Sequence, residues 1–185
     1  INYFDKNKEV FVVWDDDKKK RHSISSIYKK IIFKKPKNLD FLKVEKAYIT
    51  PGINLNDKNL DLLHKNKINL YRDLELYSKL LSNQKIIAVT GTNGKSTTTK
   101  LIGDIIRSNN HSCFVGGNIG RPLIDFKNLN DDSNYHVIEL SSFQLESAPS
   151  FNSYISILLN IHEDHTDRYK NLAIYTSQKK KIFKN

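Results

Sequence analysis

The run Ile86-Ile87-Ala88-Val89-Thr90-Gly91-Thr92-Asn93-Gly94-Lys95-Ser96-Thr97 concentrates most of the chemistry that can be read directly from this chain. An apolar strand breaks at a glycine turn and continues as a helix. That path aims successive backbone N–H groups, and the positive end of the helix dipole, at an anion. Gly91 and Gly94 allow the backbone conformations and close approach such a turn needs. Lys95 can neutralise β- and γ-phosphate charge, and Ser96 can place a hydroxyl on Mg²⁺. Thr92, Asn93 and Thr97 belong to the same cradle.

Other candidates are weaker when read alone. Glu139 falls at the end of an apolar strand, where open α/β sheets place ligands, and a hard carboxylate there suits Mg²⁺; a solvent-facing strand end is the alternative. His165, in Glu163-Asp164-His165, follows another strand end, and a lone loop histidine carries no assignment. Asn118 suits a turn as well as a contact. Lys179-Lys180-Lys181 suits a solvated surface as well as a site, and Asp15-Asp16 a solvated acidic turn.

The elements that must position these groups alternate. Val10 to Trp14 reads as a buried parallel strand and Lys46 to Thr50 as a second, stopped by Pro51-Gly52. A helix over 56–66 precedes a strand over 68–71. Asp73 is expected to cap a helix through Leu81, with Leu74, Tyr77, Leu80 and Leu81 on one face. The polar break Ser82-Asn83-Gln84 marks a boundary between residues 1–83 and 84–185. Strand 85–90, helix 95–108, strand 112–115, strand 136–140 and strand 154–160 follow. The end looks helical from Leu172, with Tyr175, Lys179, Ile182 and Phe183 near one face. The fold class is α/β: a partial Rossmann-like domain, then the first part of a phosphate-loop α/β domain.

The loop is shorter than the common Walker A form, which has four residues between its glycines. Thr90-Gly91-Thr92-Asn93-Gly94-Lys95-Ser96-Thr97 resembles the phosphate loop of the Mur ligases and their relatives, the folylpolyglutamate synthases. Gly116-Gly117-Asn118-Ile119-Gly120 resembles a glycine turn of the Mur ligases. Glu139-Leu140-Ser141-Ser142-Phe143-Gln144-Leu145-Glu146 looks like the signature of their D-glutamate-adding type. Asn160-Ile161-His162-Glu163-Asp164-His165-Thr166-Asp167 resembles their Asn-x-x-x-Asp-His-x-Asp segment. Thr50-Pro51-Gly52-Ile53 and Asp73-Leu74-Glu75-Leu76 echo positions of their N-terminal domain. The folylpolyglutamate synthases usually have glycine at the place of Ser96, and the L-alanine-adding type has histidine at that of Asn93.

The resemblance implies an ATP- and Mg²⁺-dependent amide ligase acting on UDP-N-acetylmuramoyl-L-alanine and D-glutamate through an acyl phosphate. It implies that Lys95, Glu139, His165 and Lys179 are catalytic, with Lys179 carbamylated by CO₂. Ser96, Glu139, His165 and the Lys179 carbamate would face metal. Asn118 would meet the muramic acid portion or its carboxylate, and Asp15 and Asp16 the uracil-ribose portion. Residues 1–83 would bind the UDP-linked substrate and residues 84–185 ATP.

A net charge of +10, with lysine runs at 18–20, 29–30, 34–35 and 179–181, invites a nucleic-acid reading. Lysine, asparagine and isoleucine are abundant throughout, and no aromatic-interleaved RNA motif or helix-turn-helix pattern accompanies the charge. Solvated surface is the reading we adopt, with no nucleic-acid partner. No apolar run reaches the roughly 18 residues of a membrane span, and one cysteine, Cys113, suits a reducing cytosol. A cytoplasmic monomer without membrane contact is expected. The chain begins at Ile1 and contains no methionine, so further sequence is expected at both ends. A phosphate-binding module without ligase activity remains a rival, disfavoured by Glu139 and His165.

Overall fold

The computed structural model describes residues 1–81, 83–125, 132–166 and 168–183; Ser82 of the polar break and Asp167 of the histidine segment lie outside the described residues. The chain forms two compact units, one of residues 1–47 and 55–70, the other of residues 48–54 and 71–185.

The first unit holds α1 (Asn2–Lys6), α2 (Lys18–Ile27), three 3-10 turns and α3 (Asp61–Lys65); β1 (Lys46–Tyr48) and β2 (Asn69–Tyr71), which pair, run out of it. Two expectations fail here. The run 10–14 is not a buried strand: Val10 is fully exposed, and only Val13 forms a bridge, parallel, to Phe33. With a single bridging partner, the run gains neither a ladder nor cover on both faces. The helix over 56–66 is instead a 3-10 turn, capped by Asp57, running into the short α3, with Leu60 and Leu63 buried. The lysine-rich 18–27 segment is a helix, α2, started by Asp17, whose carboxylate accepts from the Lys19 amide at 2.8 Å.

The second unit is a parallel sheet with helices on both faces. Its strands are β3 (Lys85–Thr90), β4 (Cys113–Gly117), β5 (Tyr135–Glu139) and β6 (Ile155–Leu158), in the order β4-β5-β3-β6. Alternation along the strands divides the core. Ile86, Ala88, Ile138 and Leu140 face a cluster with Leu74 and Tyr77 of α4 (Asp73–Leu80), Leu145 and Ile182. Ile87 and Val137 face the other way, onto Ile102 and Ile106 of α5 (Lys95–Ser108). Asp73 is the first residue of α4, not its cap; Arg72 holds that place, while the Asp73 carboxylate accepts from the Leu74 amide and from Gln144 Nε2. Among the described residues the unit also holds the helices α6 (Ser142–Leu145) and α7 (Leu172–Lys180), the latter running into a 3-10 turn, Lys181–Phe183. On the last stretch Tyr175, Lys179 and Ile182 are buried, but Phe183 is half exposed. No helix among the described residues is long and apolar enough to cross a membrane.

The approach of α5 to β4 sets a stability prediction. A Cβ on Gly103 would sit 2.4 Å from Cγ2 of Val115, a stiff branched side chain. Gly→Ala in a helix is normally worth about 1 kcal/mol of stability, but overpacking costs about 1–3 kcal/mol, so the clash should prevail. Denaturant unfolding of Gly103→Ala should show lower stability. Adding Val115→Ala should recover about 1 kcal/mol or more relative to additivity. A more stable Gly103→Ala variant would contradict this packing.

Candidate functional site

β3 lies between β5 and β6, and its register brings three strand ends together. Val89 pairs with Glu139 and Thr90 with Leu158. The chain then leaves the sheet through Gly91 and enters α5 at Gly94, whose φ of +82° is one that few residues but glycine adopt. The first intrahelical bond of α5 runs from the Thr98 amide to the Gly94 carbonyl at 3.0 Å. The amides of Lys95, Ser96 and Thr97 precede it and point out of the helix end, as an anion requires.

Side chains from distant segments fix the loop. Asn160 grips it on both sides of residue 93: its Oδ1 accepts from the Asn93 amide at 2.9 Å, and its Nδ2 donates to the Asn93 carbonyl at 3.1 Å. Its own carbonyl accepts from the Thr92 amide at 3.0 Å. Thr92 Oγ1 accepts from the His162 amide at 3.0 Å and lies 3.3 Å from the Tyr175 hydroxyl. Lys95 Nζ curls back to the Thr92 carbonyl at 2.7 Å.

Glu139 stands at the mouth of this loop with 1% exposure. Its Oε2 accepts from Ser96 Oγ at 2.8 Å and its Oε1 from Asn118 Nδ2 at 3.3 Å. Asn118 is placed by its own amide, which donates to the Glu139 carbonyl at 2.9 Å. The structure thus joins Ser96, Glu139 and Asn118. Among the described residues no three His, Cys, Asp or Glu side chains form a metal cage. A hard cation sharing one carboxylate and one hydroxyl with phosphate oxygens and water is the arrangement Mg²⁺ adopts, and the Ser96–Glu139 pair fits it.

Lys179 is 2% exposed, and its Nζ donates to the Gly91 carbonyl at 2.8 Å. Burial, reinforced by the nearby Lys95 charge, lowers its pKa to about 8. Its neighbours differ: Lys180 is exposed, and Lys181 Nζ donates to the Glu146 carbonyl at 2.9 Å.

His165 is not joined to the Ser96–Glu139–Asn118 group by a hydrogen bond. Its ring lies 4.8 Å from that of Phe143 and 6.1 Å from that of Tyr175, with Asp164 alongside. Asp15 and Asp16 lie in the other compact unit and make local contacts. Asp15 Oδ1 accepts from the Asp17 amide, and Asp16 Oδ1 from the indole of Trp14, over which Arg21 lies at 4.4 Å.

Some positioning groups were not anticipated. The sequence marks Asn160 only as part of a motif and Tyr175 only as a helix-face residue, yet both hold the loop. The Ser141–Gln144 capping box that starts α6 was legible, because Ser-x-x-Gln is its pattern.

Residues 89–185, just over half of the chain, match the Mur ligase middle domain. The UDP-N-acetylmuramoylalanine--D-glutamate ligase of Wolbachia pipientis is 38% identical over 184 residues, covering 98% of this chain and 36% of that protein. Its counterpart in Rickettsia prowazekii is 37% identical over 178 residues, 96% of this chain and 39% of that protein. The one in Citrifermentans bemidjiense is 41% identical over 145 residues, 78% and 32%. The chain thus spans between 32% and 39% of the length of these curated relatives. Among solved structures, the UDP-N-acetylmuramate:L-alanyl-gamma-D-glutamyl-meso-diaminopimelate ligase of Neisseria meningitides superposes with a TM-score of 0.50. At 16% identity, over 91% of this chain and 56% of that one, this is a likeness of fold alone. The match to the middle domain, over the residues that build the loop and the Glu139 group, establishes that the chain belongs to the Mur ligase family.

Proposed function

We propose that the protein carrying this chain is an ATP- and Mg²⁺-dependent ligase that joins D-glutamate to UDP-N-acetylmuramoyl-L-alanine in peptidoglycan precursor synthesis, acting as a cytoplasmic monomer. The observation that supports this most is the contact of Ser96 with Glu139 at the mouth of the 91–97 loop, in a chain whose relatives bear that ligase name. Residues 84–185 would hold ATP and residues 1–83 the UDP-linked substrate. Asp15 and Asp16 would contact uracil-ribose, and Asn118 the muramic acid portion.

In the first step a substrate carboxylate oxygen takes the γ-phosphoryl group of ATP, and ADP leaves. The D-glutamate amine then attacks the acyl carbon. The C–O bond breaks, inorganic phosphate leaves and the nitrogen gives up a proton. Mg²⁺, when bound, supplies charge neutralisation between the phosphate oxygens. The chain's own residues do the rest. The amides of residues 95–97 and Lys95 Nζ hold the β- and γ-phosphates in line with the carboxylate. Glu139 keeps the Ser96 hydroxyl turned towards the same point.

Carbamylation of Lys179 extends this reading. In this reaction the neutral amine nitrogen bonds to the carbon of CO₂, one C=O π bond opens, and the nitrogen gives up a proton to solvent. A pKa lowered to about 8 by burial leaves far more of the amine neutral near pH 7.5 than an ordinary lysine has. The product is an anion, which the field of Lys95 favours. His165 would contact substrate or metal beside it.

With ATP and UDP-N-acetylmuramoyl-L-alanine, the full-length protein should release phosphate when D-glutamate is added, and poorly with L-alanine, L-lysine or diaminopimelate. Equal release with any of those would overturn the acceptor assignment. Lys95→Ala should lower turnover by about 10²-fold or more, since it removes a fixed counter-charge at the transferring phosphoryl group; near-normal turnover would exclude the loop as the nucleotide site. Lys179→Ala should lose activity and recover part of it with added short-chain carboxylates, whereas Lys180→Ala should be neutral. Full activity of Lys179→Ala would remove the carbamate from the account.

A further inference from the structure

We propose that Arg168 and Phe143 form a positioning stack that fixes the imidazole of His165, with Glu146 anchoring Arg168. This rests on the reading of His165 as a substrate or metal contact. His165 has a φ of +54°, unusual for a residue with a side chain. The turn that holds it there is closed by the Arg168 and Tyr169 amides, which donate to the His165 carbonyl at 2.9 and 3.0 Å. The turn thus sets the backbone, and the ring is set separately. Phe143 packs against the imidazole at 4.8 Å, and the Arg168 guanidinium lies over the Phe143 ring at 4.3 Å. Tyr169 stacks on the same phenyl ring at 5.8 Å and 25°.

Glu146 keeps the guanidinium in place. Its Oε2 accepts from both Arg168 Nη2 and Arg72 Nη2 at 2.8 Å, and its Oε1 from the Tyr169 hydroxyl at 2.9 Å. Two guanidinium charges against one carboxylate leave an excess positive charge in a largely buried place. The carbonyls of Pro51, Gly52 and Ile53, 3.2–3.4 Å from the Arg168 nitrogens, and the π face of Phe143 disperse it. Arg168 is 8% exposed and Glu146 13%, but the His165 side chain is 41% exposed. The stack therefore runs from the buried Tyr169 and Arg168 out to an imidazole that a ligand can reach.

The test is Phe143→Leu in the full-length protein, which keeps apolar bulk but removes the π face. The His165 imidazole proton resonances, assigned by comparison with His165→Gln, should lose their ring-current displacement. Turnover should fall about tenfold, the lower range for loss of a group that orients a ligand side chain, with KM for ATP unchanged. Phe143→Tyr, which retains the ring, should restore both. If Phe143→Leu does not fold, Arg168→Lys is read in the same way, because it keeps the charge and loses the flat guanidinium. Unmoved resonances with unchanged turnover would overturn the proposal. A fully active His165→Ala would instead remove the role of His165, and the resonances of Phe143→Leu would still decide whether the stack holds its ring.

Discussion

The site depends on where the carbonyls of the 91–97 loop go. A strand-to-helix turn exposes carbonyl oxygens as readily as amides, and an anion is repelled by the former. Here the carbonyl of Gly91 accepts from Lys179, that of Thr92 from Lys95, and that of Asn93 from Asn160. With those oxygens engaged, the outward potential of the turn is set by the amides at the start of α5 and by the dipole behind them. Each partner comes from a different element, so the loop's charge pattern is a property of the whole unit.

The parallel register does the corresponding work for the acidic group. Glu139 pairs with Val89 on one side and with Gly117 on the other, so its carboxylate emerges beside the phosphate loop and beside the turn carrying Asn118. A carboxylate at 1% exposure is costly unless its oxygens are engaged. Ser96 and Asn118 each engage one oxygen. The same cost acts on Lys179, where it favours the neutral amine.

Legibility followed periodicity. Strand 85–90 and helix 95–108 were read with the boundaries the structure has, because apolar period and a glycine turn agree there. The same pattern marks the glycine loop and puts Glu139 at a strand end, but roles for Glu139 and Asn118 follow only from the resemblance to the Mur ligases. Val10 to Trp14 was misread because a short apolar run carries no information about whether a partner strand exists to cover it. α2 went unread because its lysines masked a helix that Asp17 starts and that buries no residue. The Arg72–Glu146–Arg168 hub joins residues 74 and 22 positions apart, and no local pattern announces such a contact. Lys179 is the lysine of its run that helical spacing puts on one face with Tyr175 and Ile182, and it is the one buried with them, at 2% exposure.

The central claim is that the loop and its neighbours drive transfer of a phosphoryl group to a substrate carboxylate. Its most direct test uses UDP-N-acetylmuramoyl-L-alanine labelled with ¹⁸O in the alanine carboxylate, incubated with ATP, Mg²⁺, D-glutamate and the full-length protein. The account predicts that the inorganic phosphate released carries one ¹⁸O atom from the carboxylate, because the C–O bond of the acyl phosphate breaks when the amine attacks. Product formed with unlabelled phosphate would contradict it.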